Sequence, residues 1–309
     1  MKISFFGLTD VGRKRKFNED NFDGLDLPER REGEKYTASL LIVADGIGGH
    51  AGGDTASKVG VEVIRNQILN KFPSLEPEIS HYQEAMQSGI QAANREIFQR
   101  AAADPNLTGM GTTIVTALTV DSYALVSNVG DSRAYLIREG RIVQISEDHS
   151  WKAEQRKLHL LTEEEIVESP FRHTITRSLG FESDVNVDTF LVDLHKDDYL
   201  LLCTDGLYES LPDEYMMRLI LKNKKPDKIC HRLIKLANKN GGHDNITALV
   251  AHILEVPPPA KAAEFPSDTV KLDIKSQEKA EKQPVVDTVE LEDIKREQKP
   301  SPSDTVKLG

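Results

Sequence analysis

The stretch that most limits what this chain can fold into is residues 40–53, LLIVADGIGGHAGG. Its first half is short, apolar and partly β-branched, the signature of a buried strand. That run stops at Asp45-Gly46, and Gly48, Gly49, Gly52 and Gly53 follow. A strand ending in an aspartate presents a carboxylate at the rigid end of a sheet. The glycines let the backbone turn tightly and come close to a ligand. A main-chain carbonyl there, such as that of Gly46, can serve as a metal ligand beside the carboxylate. The competing reading is a strand-to-helix turn whose aspartate only caps the next helix. The other acidic turns of the chain decide between the two.

At 309 residues with 39% hydrophobic content, the chain can bury a sizeable core as one large domain or two smaller ones. A net charge of −11 with no basic run speaks against nucleic acid as a general partner. Cys203 and Cys230 form neither a disulfide framework nor a zinc pattern, and suit a reducing cytosol. The N-terminal apolar stretch is too short for a signal peptide, and no other apolar run is long enough to span a bilayer. A soluble cytoplasmic protein without a membrane partner is expected.

In chain order, residues 3–8 are predicted as a first strand. A turn and the basic stretch Arg13 to Lys16 lead into Asn18-Glu19-Asp20. Cations placed directly before two carboxylates suit a site that holds both an anion and a metal; the alternative is a solvated turn with weak ion pairs. Residues 28–36 are expected to be an exposed hairpin loop. Apolar spacing predicts helices over 54–72 and 78–101. Short β-branched runs then predict strands over 112–120, 123–129, 133–137 and 141–145, close enough for antiparallel hairpins. Gly130-Asp131-Ser132-Arg133 is a second acidic turn among them.

Residues 146–180 break the β rhythm, and an excursion of that length is usually a functional flap. Within it Thr162 and Glu165 have capping-box spacing. Strands are predicted again over 185–193 and 199–204, the second ending in Asp205-Gly206-Leu207. Helices over 213–222 and 226–240 follow, then Gly241-Gly242-His243-Asp244-Asn245 and a last strand over 246–254.

Glu19, Asp20, Asp45, Asp131, Asp205 and Asp244 therefore stand at strand ends and tight turns. With no Cys or His ligand cluster, they describe an all-oxygen site that selects Mg²⁺ or Mn²⁺ over zinc. Carboxylates gathered in one cleft repel strongly unless cations lie between them. Two divalent ions would offset that repulsion and promote an in-line displacement at phosphorus.

The ordered series R-x-x-N-E-D, D-G-x-G-G-H, G-T-T, G-D-S-R, D-H-S, T-R-S-L-G, D-G-L and D-N resembles the metal-dependent protein Ser/Thr phosphatases of the PP2C (PPM) family, bacterial branch. The resemblance covers residues 1–254. It implies an α+β fold, a four-layer αββα sandwich of two antiparallel sheets flanked by helix pairs; periodicity alone supports only α+β. It implies that Asp45 bridges two Mn²⁺ or Mg²⁺ ions with the Gly46 carbonyl, and that Asp205 and Asp244 complete the pair. Glu19 and Asp20 would hold ions directly or through water. Asp131 matches the position for a third, weaker ion, with Asp148 a lesser candidate. Arg15 would bind the substrate phosphate, since a guanidinium matches two phosphate oxygens. The nucleophile would be a metal-activated water or hydroxide, with no phosphoenzyme. One departure stands out: the place of a proposed general acid in many eukaryotic relatives is Ile47 here. His50, His149 and His173 are expected to make structural hydrogen bonds.

Residues 255–309 change composition and are expected to be a disordered tail. Asp268-Thr269-Val270-Lys271-Leu272 recurs as Asp287-Thr288-Val289-Glu290-Leu291 and as Asp304-Thr305-Val306-Lys307-Leu308. Thr269, Thr288 and Thr305 are read as sites for a partner Ser/Thr kinase, recognised when modified by a phosphothreonine-binding module. The expected activity is hydrolysis of phosphoserine and phosphothreonine in phosphoproteins, opposing that kinase. The rivals are a catalytically silent adaptor and a two-metal enzyme acting on other phosphoesters.

Overall fold

Leu40, Ile42 and Ala44 join one apolar cluster with the long helices, while the alternate residues Leu41 and Val43 are equally buried outside it. A strand buried on both faces is covered by a further layer on each side. A computed structural model of the chain has that arrangement. It describes residues 1–29, 37–49, 51–257 and 270–271. The loop expected over 28–36 falls almost wholly outside them, as do His50, Thr269, Thr288 and Thr305.

The strands are β1 (Lys2–Asp10), β2 (Asn21–Asp26), β3 (Ser39–Ala44), β4 (Gly46–Ile47), β5 (Gly111–Thr112), β6 (Ile114–Val120), β7 (Tyr123–Val129), β8 (Arg133–Arg138), β9 (Arg141–Gln144), β10 (Asp188–Asp193), β11 (Tyr199–Cys203), β12 (Ile246–Glu255) and β13 (Val270–Lys271). The helices are α1 (Ala51–Lys71), α2 (Ile79–Ala103), α3 (Trp151–Leu158), α4 (Glu163–Glu168), α5 (Asp205–Tyr208), α6 (Asp213–Lys222) and α7 (Pro226–Lys239). One sheet runs β1-β12-β11-β8-β9 and the other β13-β10-β7-β6-β3-β2; β4 and β5 form a small separate pair. α1 and α2 supply Ile64, Ile68, Met86 and Ile90 to the core over the second sheet. α6 and α7 supply Met216, Ile220, Ile229 and Leu233 to the core over the first. The four-layer αββα sandwich is thus the fold. Among the described residues, no helix is long and apolar enough to cross a membrane.

Several elements depart from the sequence reading. β2 was not expected, because Asn21–Asp26 lacks clean alternation and contains Gly24. That glycine makes room for a ring: a Cβ there would lie 3.0 Å from Phe5, and one at Gly7 would lie 2.2 Å from Phe22. Each sheet opens a gap for the other's aromatic side chain. The run over 112–120 splits into β5 and β6. The strand expected from 185 begins at Asp188. The turn at 130–133 does not close a hairpin: β7 pairs with β6 and β10, β8 pairs with β9 and β11, and the chain crosses there between sheets. Asp205 opens the short helix α5 rather than a second glycine turn. Val270 and Lys271, expected in a disordered segment, pair in parallel with β10, whose outer edge no other described residue covers. The capping box of α4 forms as expected, with Glu165 N donating to Thr162 Oγ1 at 3.3 Å and Thr162 N to Glu165 Oε2 at 2.8 Å.

Candidate metal centre

Registers place the acidic corners at one end of the sandwich. Asn21 pairs with Ala44, Asp10 with Ile246, and Cys203 with Ala248. The residues just beyond those pairs are Asp20, Asp45, Asp205 and Asp244–Asn245. Two come from each sheet.

The backbone around Asp45 is pinned. Asp45 N donates to Thr113 Oγ1 at 3.1 Å, and Asp45 O accepts from Thr112 Oγ1 and Thr113 N, each at 2.8 Å. These contacts give the G-T-T motif a positioning role. Gly46 N donates to Glu19 O at 3.2 Å. A Cβ on Gly46 would lie 2.3 Å from Gly53 O and 2.7 Å from Glu19 O, so only glycine brings three backbone segments this close.

Asp20 is buried, and its Oδ2 accepts from Thr204 Oγ1 at 2.9 Å and Thr247 Oγ1 at 2.7 Å. Asn245 Oδ1 accepts from Glu19 N at 2.9 Å, while its Nδ2 donates to Val11 O at 3.0 Å and Phe17 O at 2.9 Å. Thr204, Thr247 and Asn245 were missed as site residues from sequence. Asn245 was named only within the D-N motif, and Thr204 and Thr247 carried no signal beyond nearness in sequence to Asp205 and Asp244. The exposed Arg15 reaches Asp244, Nη2 donating to Oδ2 at 2.7 Å.

The electrostatics are those of crowded like charges. Burial, followed by the charges of Asp20, Asp205, Asp131 and Asp244, pushes the Asp45 carboxyl well above its ordinary range. Asp205 is raised by burial and then by Asp131 and Asp244. Burial also lifts Asp20 to about 7, against the two threonine hydroxyls, and Asp131 to about 6, with Asp148 adding to the shift. Asp45 and Asp205 keep part of their surface open to solvent.

Among the described residues, no three His, Cys, Asp or Glu side chains stand close enough to hold one ion as they are placed. The carboxylates form a coupled group rather than a closed cage. Its donor set nevertheless fits hard divalent cations. The donors are all oxygen, and among the described residues nothing hydrogen-bonds the buried Asp20 Oδ1 and Asp205 Oδ1, a costly arrangement that a cation would relieve.

Asp148 is engaged elsewhere. Arg133 Nε donates to its Oδ1 at 2.9 Å and Nη2 to its Oδ2 at 2.7 Å, and Gln144 Nε2 adds a bond at 2.7 Å. Arg133 also stacks 3.7 Å over the Tyr208 ring, and the Tyr208 hydroxyl donates to Asp131 O at 3.1 Å. His149 makes structural bonds: Nδ1 accepts from Gly130 N at 3.0 Å, which leaves Nε2 to donate to Asp188 Oδ2 at 3.0 Å. Asp188 Oδ1 in turn accepts from Arg177 Nη1 at 2.6 Å. The D-H-S and T-R-S-L-G motifs thus meet at the root of the 146–180 excursion. Bridge Ser150–Ile175 ties its two ends together, and bridge Thr112–Leu179 ties its far end to β5. Beside this root lies a cavity of about 720 Å³, lined by Ile47, His173, Arg177, Phe181, Glu182 and Asp184 among others. His173 is exposed on its wall, and Ile47 brings the cavity next to the Asp45-Gly46 corner.

A sandwich of two sheets with acidic corners from both at one end is an arrangement that suits a metal-dependent hydrolase. The sequence pattern of the Protein phosphatase 2C family matches residues 16–247, and the chain belongs to that family of metal-dependent protein Ser/Thr phosphatases. It is 36% identical over 242 residues to the serine/threonine phosphatase stp of Listeria innocua, covering 78% of this chain and 92% of that one. The S. agalactiae serine/threonine phosphatase structure superposes with a TM-score of 0.72 at 31% identity, over 82% of this chain and 100% of that one. The catalytic domain of the phosphatase PstP in complex with two manganese ions superposes with a TM-score of 0.67 at 29% identity, over 82% of this chain and 99% of that one.

Proposed function

We propose that this enzyme hydrolyses phosphoserine and phosphothreonine in proteins, using two Mn²⁺ or Mg²⁺ ions held by Asp45, the Gly46 carbonyl, Asp205 and Asp244. Glu19 and Asp20 hold ions directly or through water, and Asp131 takes a third, weaker one. When bound, the ions supply positive charge for the phosphoryl oxygens and acidify the attacking water. The observation carrying this reading is the convergence of buried, partnerless carboxylate oxygens from both sheets.

The chain's own residues do the rest. Arg15, poised on Asp244 and exposed, turns its guanidinium to two oxygens of the substrate phosphate. Asp20 is fixed through Oδ2 by two threonine hydroxyls, which leaves Oδ1 free of hydrogen bonds among the described residues to meet an ion. Ile47 has no proton to give, so the leaving alkoxide takes one from another group. The cavity beside Ile47 receives the polypeptide around the phosphorylated residue.

The enzyme counteracts a Ser/Thr kinase in the cytoplasm, and the kinase modifies Thr269, Thr288 and Thr305 for a phosphothreonine-binding module. Phosphopeptide turnover across a Mn²⁺ titration, with chelator as control and nucleotide substrates alongside, tests the catalytic reading. Turnover that persists in chelator or in Asp45→Asn overturns it, as does a preference for nucleotides. Mass spectrometry after incubation with a Ser/Thr kinase tests the tail: unmodified threonines end that part.

A further inference from the structure

We infer that the outer edge of β10 is a docking slot for the D-T-V-[KE]-L pentapeptide, and that the three copies in this chain exchange in it. Val270 and Lys271 of the first copy pair in parallel with Phe190 and Leu191, which makes the first copy the outermost strand of its sheet. Without it, β10 would end the sheet with an apolar run, Phe190-Leu191-Val192, and an unpaired row of backbone groups. Such an edge templates further strands.

Strand addition reads the peptide mainly through its backbone, with alternate side chains adding selectivity. The repeats fit that rule. The position of Lys271 is Glu in the second copy and Lys in the third, a reversal of charge inside the paired stretch. Val and Leu on either side of it do not change. What seats Val270-Lys271 therefore seats Val289-Glu290 and Val306-Lys307 equally well.

Position along the chain then sets occupancy. About 14, 33 and 50 residues separate the end of β12 from the three valines. Local concentration falls roughly as the −3/2 power of the linker length. The copies should fill the slot about 70, 20 and 10% of the time, so two of the three are always outside it.

Hydrogen exchange of the full-length protein tests this, read at the β10 amides that point away from β7. Proline at both paired positions removes whichever N–H faces β10. With V270P/K271P alone, protection is expected to fall only about threefold, because the other two copies take over. With the further changes V289P/E290P and V306P/K307P, it is expected to vanish. Complete loss in the first variant shows a slot specific to one copy and overturns the exchange. Retained protection in the last variant shows that the tail does not occupy the edge, which also overturns it. Protection that is independent of protein concentration supports exchange within one chain; protection that declines on dilution assigns the slot to a second molecule and sinks the proposal.

Discussion

Arg15 Nη2 donates to Asp244 Oδ2 at 2.7 Å, joining residues 229 positions apart in the chain. The pair couples the cation proposed to bind the substrate phosphate to a carboxylate proposed to hold metal. Hydrogen bonds to charged groups contribute about 1.5–3 kcal/mol, so Arg15→Ala is expected to raise KM for a phosphopeptide by about 10- to 100-fold. Arg15→Lys keeps the charge but loses the fork and should recover only part of the loss. Steady-state kinetics with KM and kcat separated check this; an unchanged KM in Arg15→Ala refutes the assignment.

Gly46→Ala places a methyl group against two main-chain oxygens, neither of which can rotate away. The expected cost is about 1–3 kcal/mol of stability, with activity falling further because Asp45 moves with its neighbour. Denaturant melts and Mn²⁺-dependent turnover measure the two effects. Full activity would show that the close approach is not needed.

Removing divalent cations should reverse the ordinary pH response. Asp20, Asp45, Asp131 and Asp205 bind protons more tightly folded than unfolded. Protonation therefore supports the fold. That support is complete below the ordinary carboxylate value of 3.8 and is lost as pH rises through about 7, the Asp20 value. In chelator, Tm is expected to drop by about 5 °C or more between pH 5.5 and 8, and saturating Mn²⁺ should flatten the slope. A chelated profile that rises with pH contradicts the crowded-carboxylate account.

Asp188 behaves in the opposite sense. The His149 hydrogen bond, followed by the Arg177 contacts, outweighs burial and holds its carboxyl at about 2. Its contribution is present above 3.8 and disappears as pH falls toward about 2. Asp188→Asn should cost about 1 kcal/mol at neutral pH, a modest figure because the side chain is one-third exposed. The gap from the parent should close in acid, as followed by thermal melts from pH 7 to pH 2.5.

Cys203 and Cys230 are both buried and unlinked. Burial raises the Cys203 thiol far above its usual range and the Cys230 thiol to about 12, and Cys230 Sγ also donates to Phe6 O at 3.1 Å. Neither should react with a thiol reagent until the chain unfolds, and reductant should leave Tm unchanged. Rapid labelling of the native protein would contradict this.

Legibility from sequence followed the range of the interactions. The place of Asp45 at a strand end was readable because an apolar strand and a glycine run flank it within a few residues. α6 was readable because its pattern around 213–222 is local and punctuated by Pro212 and the polar run after Lys222. β2 was not, since Gly24 is explained by Phe5, which belongs to another sheet. The same limit hid the threonines that hold Asp20 and the commitment of Asp148 to Arg133. β13 escaped notice because its short apolar pattern becomes a strand only against the free edge of β10.

The crossing of the chain between sheets at 130–133 carries a consequence for failure rather than for function. Because each leaf of the sandwich supplies half of the acidic corner, neither leaf retains a weakened version of the centre after the other is lost. Damage should therefore show as fewer working molecules, not as slower ones, and heat inactivation should track the global melt.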